Sequence, residues 1–431
     1  MATASHLTTE KPLKQRDYFS DHSLLVDPYA YFEAIREDGP VHRAPNGVIF
    51  VTGFQEAVDV LLDSEHFSSF QTQLGPTAPL PFEPQGDDLS DQIAAARNPH
   101  EMSELMVGYD GLQHANARSL LNRLFVPSRL RANEDYMWSF AGELVDEAVA
   151  RGGCELISDI ATPYVTLVIA DLLGVPEEDR QAFREVIDAG PPPGSLDNNE
   201  SARESHPLMF MAQFFMRYVQ ERRANPRDDV LSELANGRYP DGSEPDALEV
   251  VKSAMFLFAA GQDTSAKLLG NAMQRVAQDK DLQGRLRADP KLIAPFLEET
   301  LRLEGSTKAT FRLAKRATRI GDMEIRPGDR LVVALAAANR DPARWRDPAR
   351  FEIGRPRIQE HVAFGRGAHT CLGAPLARVE VRVIFERFFQ KTRDISLAPS
   401  HRDAQGRALL DYEPSFIIRG LSRLDLTLEP A

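Results

Sequence analysis

The sequence has little cysteine, with only Cys154 and Cys371 among its 431 residues. Two thiols cannot build the disulfide framework of a small secreted domain, and they fit a reducing compartment best. Long apolar runs are also missing: the longest, Leu331 to Ala338, is far shorter than the about 18 residues that a membrane-spanning helix requires. The first twenty residues lack the apolar core of a secretion signal. We therefore expect a cytoplasmic protein without a membrane anchor.

An excess of positive charge is absent as well. Acidic side chains outnumber basic ones by 64 to 50, which gives a net charge of -14. Extensive nucleic-acid binding is excluded on this basis, because phosphate contacts need a basic surface. No repeat, low-complexity tract or Gly/Ser linker divides the chain. We expect an N-terminal arm over residues 1–24 and a single domain over residues 25–431, large enough to enclose a deep pocket.

What the sequence does contain is helical periodicity. Apolar residues recur at intervals of three and four in most of the chain after residue 114. The predicted helices are Arg118–Arg123, Tyr136–Ala150, Tyr164–Leu173, Phe210–Arg222, Asp246–Ala277, Leu292–Leu303 and Gly373–Phe389. The segment Asp246–Ala277 is apolar on nearly all sides around Met255 to Ala260, which is typical of a helix through the centre of a protein.

Short apolar runs predict a minor sheet component, with strands at Val48–Thr52, around Phe311–Ala317 and around Arg330–Ala334. The predicted fold class is α+β, predominantly α-helical. Two stretches rich in Pro and Gly, Phe67–Tyr109 and Ala189–Ser205, lack clear periodicity. Stretches of this kind are either disordered or functional lids.

The most informative segment is HVAFGRGAHTCLGAPLAR, from His361 to Arg378. Glycines surround Cys371, and glycine lets the backbone approach a flat ligand closely. A predicted helix starts just after the cysteine, and a helix N-terminus stabilises a thiolate. Without a Cys/His tetrad, zinc is a poor candidate, and haem iron with an axial cysteine fits better. A buried structural thiol is the alternative for an isolated cysteine.

The pattern F-G-x-G-x-H-x-C-x-G stands complete from Phe364 to Gly373. It resembles the haem-binding loop of the cytochrome P-450 family, and the resemblance extends over about residues 25 to 425. It implies the P-450 fold, with a long central helix over the haem and small β-sheets. The implied cofactor is haem b (iron protoporphyrin IX), with Cys371 as the axial ligand of the iron. Phe364 and Gly365 would border the haem.

An E-x-x-R motif places Glu299 and Arg302 one helical turn apart on one face. Alone, such a pair is usually a solvated surface salt bridge. In its position before the cysteine loop, it resembles the structural ion pair of the family. By this resemblance the third member comes from the arginine-rich stretch DPARFEIGR, and Arg350 is the expected residue. Buried charges of this kind are tolerable only when they are fully paired.

The predicted central helix contains A-G-Q-D-T, from Ala260 to Thr264. Glycine and threonine are locally unfavourable inside a helix, so one interpretation is a packing glycine with a threonine bonded back to the helix. The motif also resembles the oxygen-activation motif of the family. In that case Asp263 and Thr264 are catalytic and deliver protons to bound dioxygen. Ala260 and Gly261 would lie against the haem, and the acid–alcohol pair argues against a peroxide-using subclass.

The two propionates of a haem are anionic and need cations. His114 and Arg118, spaced i,i+4, resemble the H-x-x-x-R pair of the family. Arg312 follows the E-x-x-R helix at the usual strand position, and His369 lies in the cysteine loop. Arginine is well suited to binding carboxylates. Each of the four taken singly is more often a surface cation than a ligand.

The resemblance also implies the reaction and a pocket for a small hydrophobic substrate. One atom of O2 would be inserted into a C–H bond of a terpenoid, steroid or fatty-acid-like molecule. The expected pocket includes the two irregular stretches and these residues: Phe256, Ala259, Ala260, Thr310, Ser415 and Phe416.

Electrons would come from NAD(P)H through a ferredoxin reductase and a ferredoxin. A basic patch could steer an acidic ferredoxin. Its candidate members are Arg123, Arg129, Arg131 and Arg366, and scattered surface arginines are the equal alternative.

Two other functions remain open at this point. A non-redox haem-thiolate isomerase or dehydratase would not need an electron partner. A haem-binding sensor would not turn over a substrate, and the Asp263–Thr264 pair argues against it, because a sensor has no use for proton delivery.

Overall fold

The computed structural model describes residues 11–70, 72–98, 104–188 and 207–431. Its α-helices are α1 (His22–Val26), α2 (Tyr29–Arg36), α3 (Phe54–Leu62), α4 (Ser90–Ala96), α5 (Gly111–Asn122), α6 (Pro127–Ala150), α7 (Thr162–Leu172), α8 (Glu177–Asp188), α9 (Pro207–Ala224), α10 (Val230–Ala235), α11 (Ala247–Gln278), α12 (Lys280–Ala288), α13 (Ile293–Glu304), α14 (Leu335–Ala338) and α15 (Ala374–Lys391). Its strands are β1 (Val41–Arg43), β2 (Ile49–Val51), β3 (Phe67–Ser68), β4 (Gly153–Glu155), β5 (Thr310–Ala314), β6 (Thr318–Ile320), β7 (Met323–Ile325), β8 (Arg330–Val333), β9 (Thr392–Leu397) and β10 (Asp425–Pro430). The α+β, predominantly helical class is confirmed.

Helix α11 runs through the core and packs against α5, α7, α9, α13 and α15. It begins where the Asp246 carboxylate accepts a hydrogen bond from the Leu248 N–H (2.7 Å), which satisfies one of the free donors of the first turn. Most of its side chains are buried on all sides, as its continuous apolar pattern predicts. Within the described ranges, neither α11 nor any other helix is long and apolar enough to cross a membrane.

Three sheets lie around this helical body. The largest has the strand order β1-β2-β8-β5-β3, in which β2 and β8 are parallel and the other neighbours antiparallel. In its register Arg312 of β5 lies opposite Leu331 of β8. A three-stranded antiparallel sheet has the order β4-β10-β9, and β6 and β7 form a separate pair. Buried Val, Ile and Leu side chains join the large sheet to α3 and α14.

Some element boundaries differ from the sequence prediction. Strand β5 ends at Ala314 rather than near residue 317, because the chain leaves the sheet there: the Lys315 carbonyl accepts from the Leu89 N–H (2.8 Å). The stretch from Phe67 to Tyr109, predicted to be irregular, contains β3 and α4. Ile93 of α4 is buried in a small cluster with Phe70 and Leu313, which stabilises this short helix. Residues 189–206, the second irregular stretch, lie outside the described residues.

The N-terminal part of the described chain packs into the domain. Tyr18 is 1% exposed and stacks against Tyr31, with ring centroids 5.8 Å apart. Its hydroxyl donates a hydrogen bond to the Phe416 carbonyl (3.1 Å), so the two ends of the chain meet here. Packing therefore begins at or before Tyr18, inside the segment predicted to be an arm.

Candidate active site

The cysteine loop is held between α3 and α15. The Cys371 N–H donates to the Phe364 carbonyl (2.8 Å), which closes the loop. Gly367 has φ +73°, and a Cβ at this position would lie 2.5 Å from the Leu61 carbonyl oxygen. Only glycine fits there, because both the backbone conformation and the close approach to α3 exclude a side chain.

The Cys371 side chain faces a space inside the protein. It is exposed to contact with a water-sized molecule, yet burial raises the pKa of its thiol. Both observations fit a sulfur at the bottom of a cleft or an internal space. Backbone N–H groups of Gly373 and Ala374 and the charge of Arg118 act in the opposite direction and favour the thiolate. This arrangement suits an anionic sulfur that binds a metal from one side.

The four cations predicted from the sequence come together beside this loop. The imidazole rings of His114 and His369 lie 4.0 Å apart between centroids. Arg118 donates to the Thr370 carbonyl (2.8 Å), and Arg312 donates to the carbonyl of its neighbour Phe311 (2.7 Å). Burial, together with the nearby His114, Arg312 and Arg118, lowers the pKa of His369 to about 3.

This cation cluster has no anion of its own. Across the described ranges, neither Arg118 nor Arg312 forms a salt bridge with a carboxylate, and the buried Nε2 of His114 has no hydrogen-bond partner. The carboxylate of Asp110, which is close by, is paired with Arg97 (2.8 Å). The two arginines carry the charge of this cluster, since burial lowers the pKa of both histidines. Buried cations without counter-ions are unfavourable. The cluster therefore fits a ligand that brings negative charge, and the two propionates of a haem next to Cys371 would supply it.

The A-G-Q-D-T segment forms an opening in the otherwise buried α11. Ala260 is exposed, and Gly261, Asp263 and Thr264 are half-buried. The Thr264 hydroxyl donates to the Ala260 carbonyl (2.9 Å), and a Cβ on Gly261 would meet Ile169 of α7 at 2.6 Å. Both local features of the packing interpretation are thus present: a glycine that admits α7 and a threonine bonded back to its helix. The packing interpretation does not explain the opening beside Gly261 and Thr264.

The Asp263 carboxyl lacks strong partners. Its Oδ2 is buried without a hydrogen bond among the described residues, and its Oδ1 lies 4.0 Å from the Lys267 ammonium. Burial is the main cause that raises its pKa to about 6, with Lys267 acting to lower the pKa and Glu413 to raise it. A carboxyl with this pKa can take up and release a proton near neutral pH.

Helix α15 connects the cysteine loop to the opening in α11. It starts three residues after Cys371 and packs on α11, where the buried Glu380 carboxyl is hydrogen-bonded to Ser265. Ser265 is the residue that follows Thr264. The loop and the A-G-Q-D-T segment are therefore joined by one rigid helix.

Comparison with known proteins agrees with this geometry. A family model described as cytochrome P450 matches residues 191–394. The cytochrome P450 monooxygenase PikC of Streptomyces venezuelae is 33% identical over 93% of this chain and 91% of its own length. This chain belongs to the cytochrome P450 family. It is a P450 monooxygenase, an oxidoreductase that uses haem iron.

Solved P450 structures share the whole fold. The substrate-free Mycobacterium marinum cytochrome P450 CYP150A6 is 45% identical, with a TM-score of 0.90 over 97% of this chain and 100% of that one. CYP109E1 from Bacillus megaterium in complex with corticosterone is 25% identical, with a TM-score of 0.79 over 94% of this chain and 99% of that one. The P450 resemblance inferred from the cysteine loop is confirmed.

The E-x-x-R pair of this P450 is completely buried. Arg302 donates to both carboxylate oxygens of Glu299, at 2.9 and 2.7 Å. The third charge comes from Arg355, whose Nε lies 3.0 Å from Glu299 Oε1. The prediction of Arg350 is wrong, because its side chain is exposed and only its carbonyl takes part, accepting from Arg302 (3.2 Å) and Arg355 (2.7 Å).

The residues predicted to line the P450 substrate pocket divide into two groups. Phe256, Ala259, Thr310 and Phe416 are half-buried, and Ala260 is exposed, as expected for side chains that border an internal space. Ser415 does not fit this prediction: it is fully buried, and its hydroxyl accepts from the N–H groups of Ile417 (3.2 Å) and Ile418 (2.9 Å). Its role is to form the turn that presents Phe416.

A second ionic contact, not predicted from the sequence, supports the P450 cysteine loop. Glu298 of α13 accepts from Arg378 of α15 and from His361 (3.2 Å) of the loop. Burial acts to raise the pKa of Glu298, but the hydrogen bonds from His361 and Arg378 outweigh it and hold the pKa at about 2. The Arg378 guanidinium also lies 4.6 Å from the Phe364 ring centroid. The available signals were the carboxylate next to Glu299 and the arginine that ends the loop motif.

Proposed function

We propose that this P450 hydroxylates a small apolar molecule of the terpenoid, steroid or fatty-acid-like class. The observation that carries the proposal is the Cys371 thiol, which lies beside two arginines without a carboxylate partner and two histidines. Helix α15 joins the cysteine loop to the opening at Asp263 and Thr264, so that ligation, cofactor anchoring and proton handling belong to one rigid unit.

Each group has a distinct task in the proposed site. Cys371 ligates the iron, and the cation cluster binds the propionates through charge-assisted hydrogen bonds. The haem, once ligated, supplies the activation of dioxygen. Asp263 takes a proton from the protein side and passes it on. The Thr264 hydroxyl positions the group that accepts this proton. Enclosure by α11 keeps bulk water away from the reacting atoms.

The lining of the pocket supports an apolar substrate. Phe256 and Ala259 of α11 and Phe416 offer hydrocarbon surface, and the small Ala260 leaves space. Phe416 packs against Phe311 with tilted rings whose centroids are 5.9 Å apart, which gives that wall a fixed shape. The corticosterone bound to the Bacillus megaterium relative belongs to the proposed substrate class.

We infer that electrons come from NAD(P)H through a ferredoxin reductase and a ferredoxin, in the cytoplasm. Next to the cysteine loop, Leu62 is 58% and Leu112 is 75% exposed, a pair of apolar side chains that a protein partner would cover. Arg366 lies on the same loop. Of the other arginines considered, Arg129 is paired with Glu233, Arg123 donates to the Arg238 carbonyl (2.9 Å) and Arg131 is exposed. The docking surface is therefore centred on the loop itself.

The test of haem-thiolate ligation is an absorption spectrum of the reduced, carbon-monoxide-bound protein. We expect the Soret band at the long-wavelength position diagnostic of a thiolate, lost in Cys371→Ala and kept in the matched control Cys154→Ala. A band at the histidine-ligated position, or no bound haem, would overturn the proposal. A normal band without NAD(P)H-dependent O2 consumption would indicate an isomerase or dehydratase. Substrates are then screened by the spin-state shift that they cause.

The proton relay is tested by Thr264→Ala. We expect NAD(P)H to be consumed with about tenfold less hydroxylated product per molecule, because the general acid–base step is weakened. Thr300→Ala is the matched control, since Thr300 makes the same bond to a carbonyl four residues back (2.9 Å) but lies on α13. Equal coupling in the two variants would argue against the role of Thr264.

A further inference from the structure

The C-terminal loop binds a lysine of α11 one turn after Asp263. The side chain of Lys267 is 5% exposed and runs along Gly420, where a Cβ would lie only 2.3 to 2.6 Å from the methylene carbons of the lysine. Gly420 therefore makes room for Lys267. The same loop is closed by a hydrogen bond from the Glu413 N–H to the Gly420 carbonyl (3.0 Å).

The Lys267 ammonium is bound on the loop side. It donates to the Glu413 carboxylate and to the Leu421 carbonyl (3.1 Å), whereas Asp263 Oδ1 is 4.0 Å away. Asp263 and Glu413 thus compete for one cation, and Glu413 has the shorter contact. The charged groups that act on Asp263 are Lys267 from its own helix and Glu413 from the loop.

Two carboxyls and one ammonium cannot all be neutralised. Asp263 Oδ2 and Glu413 Oε2 are both buried without a hydrogen-bond partner among the described residues. When like charges share a site, one carboxyl holds a proton more readily than it would alone. Because the Lys267 ammonium is bound to Glu413, Asp263 is the carboxyl that takes up this proton.

We propose that Glu413 and Lys267 are positioning residues for proton transfer through Asp263: Glu413 holds the ammonium on the loop, which leaves the Asp263 carboxyl weakly paired and free to exchange a proton. This inference rests on the proposed role of Asp263. A short Lys267–Asp263 ion pair would instead hold Asp263 ionised and withdraw it from the relay.

The experiment measures the protonation of Asp263 in the haem-loaded enzyme by infrared titration of its carboxyl, with Asp263→Asn as the spectral reference. Glu413→Gln retains an oxygen that can accept from Lys267 but removes the competing charge. We expect the proton affinity of Asp263 to fall about tenfold or more, since the ammonium moves to Asp263. An unchanged affinity would overturn the proposal.

A double-mutant cycle shows whether Glu413 acts through the lysine. In a Lys267→Met background, Glu413→Gln should change the proton affinity of Asp263 by about twofold at most. The same full effect in both backgrounds would mean direct repulsion between the carboxyls and would refute the positioning role. Lys267→Gln provides a second background, because it keeps a donor for the Leu421 carbonyl if the methionine variant folds poorly.

The matched control is Glu304→Gln. Glu304 pairs with Arg340 and with Arg419 (3.0 Å) of the same C-terminal segment. The Glu304→Gln variant should leave the Asp263 titration unchanged. An effect equal to that of Glu413→Gln would mean that the C-terminal segment has loosened in general, and it would overturn the inference. The carbon-monoxide spectrum is recorded for every variant. A normal thiolate band with an unmoved Asp263 titration refutes this inference and leaves the haem-thiolate assignment standing.

Discussion

Two buried groups of charged residues differ in whether the surrounding protein neutralises them. In the Glu299–Arg302–Arg355 cluster, the carboxylate receives both guanidinium groups, and the remaining N–H donors find backbone carbonyls such as Asn339 (2.8 Å). Glu352 lies 3.5 Å from Arg355 and supplies the second carboxylate, so every charge there is matched from within the chain. Desolvation is offset by these bonds only while the set is complete.

The cation cluster of His114, Arg118, Arg312 and His369 is incomplete by comparison, because it lacks a carboxylate partner. Its members donate to carbonyls or contact one another, and no carboxylate of the described chain neutralises them. The first cluster therefore serves the fold, whereas the second is the proposed binding site of an anionic cofactor. A buried charge set that the protein does not complete is a better indicator of a ligand than one that it does.

Breaking the complete cluster should have the largest effect. In Arg355→Ala, the Glu299 carboxylate loses one of two cations in a fully buried site, so we expect the free energy of unfolding to fall by about 3 to 5 kcal/mol. Denaturant unfolding measures this change. Arg350→Ala is the control, because its exposed side chain leaves the contributing carbonyl in place, and we expect a change within about 0.5 kcal/mol. Similar losses in the two variants would contradict the assignment of Arg355.

Glu298 is also paired within the chain, and it makes the free energy of unfolding depend on pH. Its pKa of about 2 lies below the ordinary value of 4.5, so its contribution to stability is fully present above pH 4.5 and is lost as the pH falls through 2. We expect Glu298→Gln to lower the free energy of unfolding by about 3 kcal/mol near neutral pH. The difference from the wild type should narrow as the solution becomes more acidic.

Unfolding curves recorded at a series of pH values measure this narrowing. Glu360→Gln is the control, since that carboxylate is also paired with arginine but lies at the surface, where ion pairs contribute little. A gap between wild type and Glu298→Gln that stays constant with pH would show that the contact is not ionic.

Removing a charge from the incomplete cluster should weaken cofactor binding instead of the fold. In Arg118→Gln and Arg312→Gln, we expect haem to dissociate about 10 to 100 times faster, because a charge-assisted hydrogen bond contributes about 1.5 to 3 kcal/mol. Transfer of haem to an excess of a haem-free acceptor protein measures the rate. Arg330→Gln is the matched control on the neighbouring strand, where the arginine donates to the Pro76 carbonyl (3.0 Å). Equal rates in all three variants would contradict the cluster assignment.

Two histidines of the same loop give the finest test. His361 contacts Glu298 (3.2 Å), and His369 packs against His114. We expect His361→Gln to cost about 1 kcal/mol of stability with unchanged haem retention, and His369→Gln to speed haem loss about fivefold with unchanged stability. The same two measurements, unfolding and haem transfer, distinguish them. A reversal of this pattern would contradict the assignment of His361 to the fold and of His369 to haem binding.

The sequence carried enough signal for much of this site. The spacing around Cys371 needs no tertiary information, because glycines, cysteine and the start of α15 are neighbours in the chain. Helix α11 was predictable from its apolar pattern, which reports burial directly. The choice between Arg350 and Arg355 was not: they are five residues apart in an irregular segment, and only the path of the chain decides which side chain turns inward.

By itself, then, the sequence determined the family, the cysteine motif and the central helix, since each is encoded in local pattern or composition. Tertiary structure alone decided which charges are completed by the protein and which are left open. Glu413 is 146 positions from Lys267, and Arg378 is 80 from Glu298. Contacts across such separations depend on how helices and loops pack, because hydrogen bonds and ion pairs act only over a few ångströms.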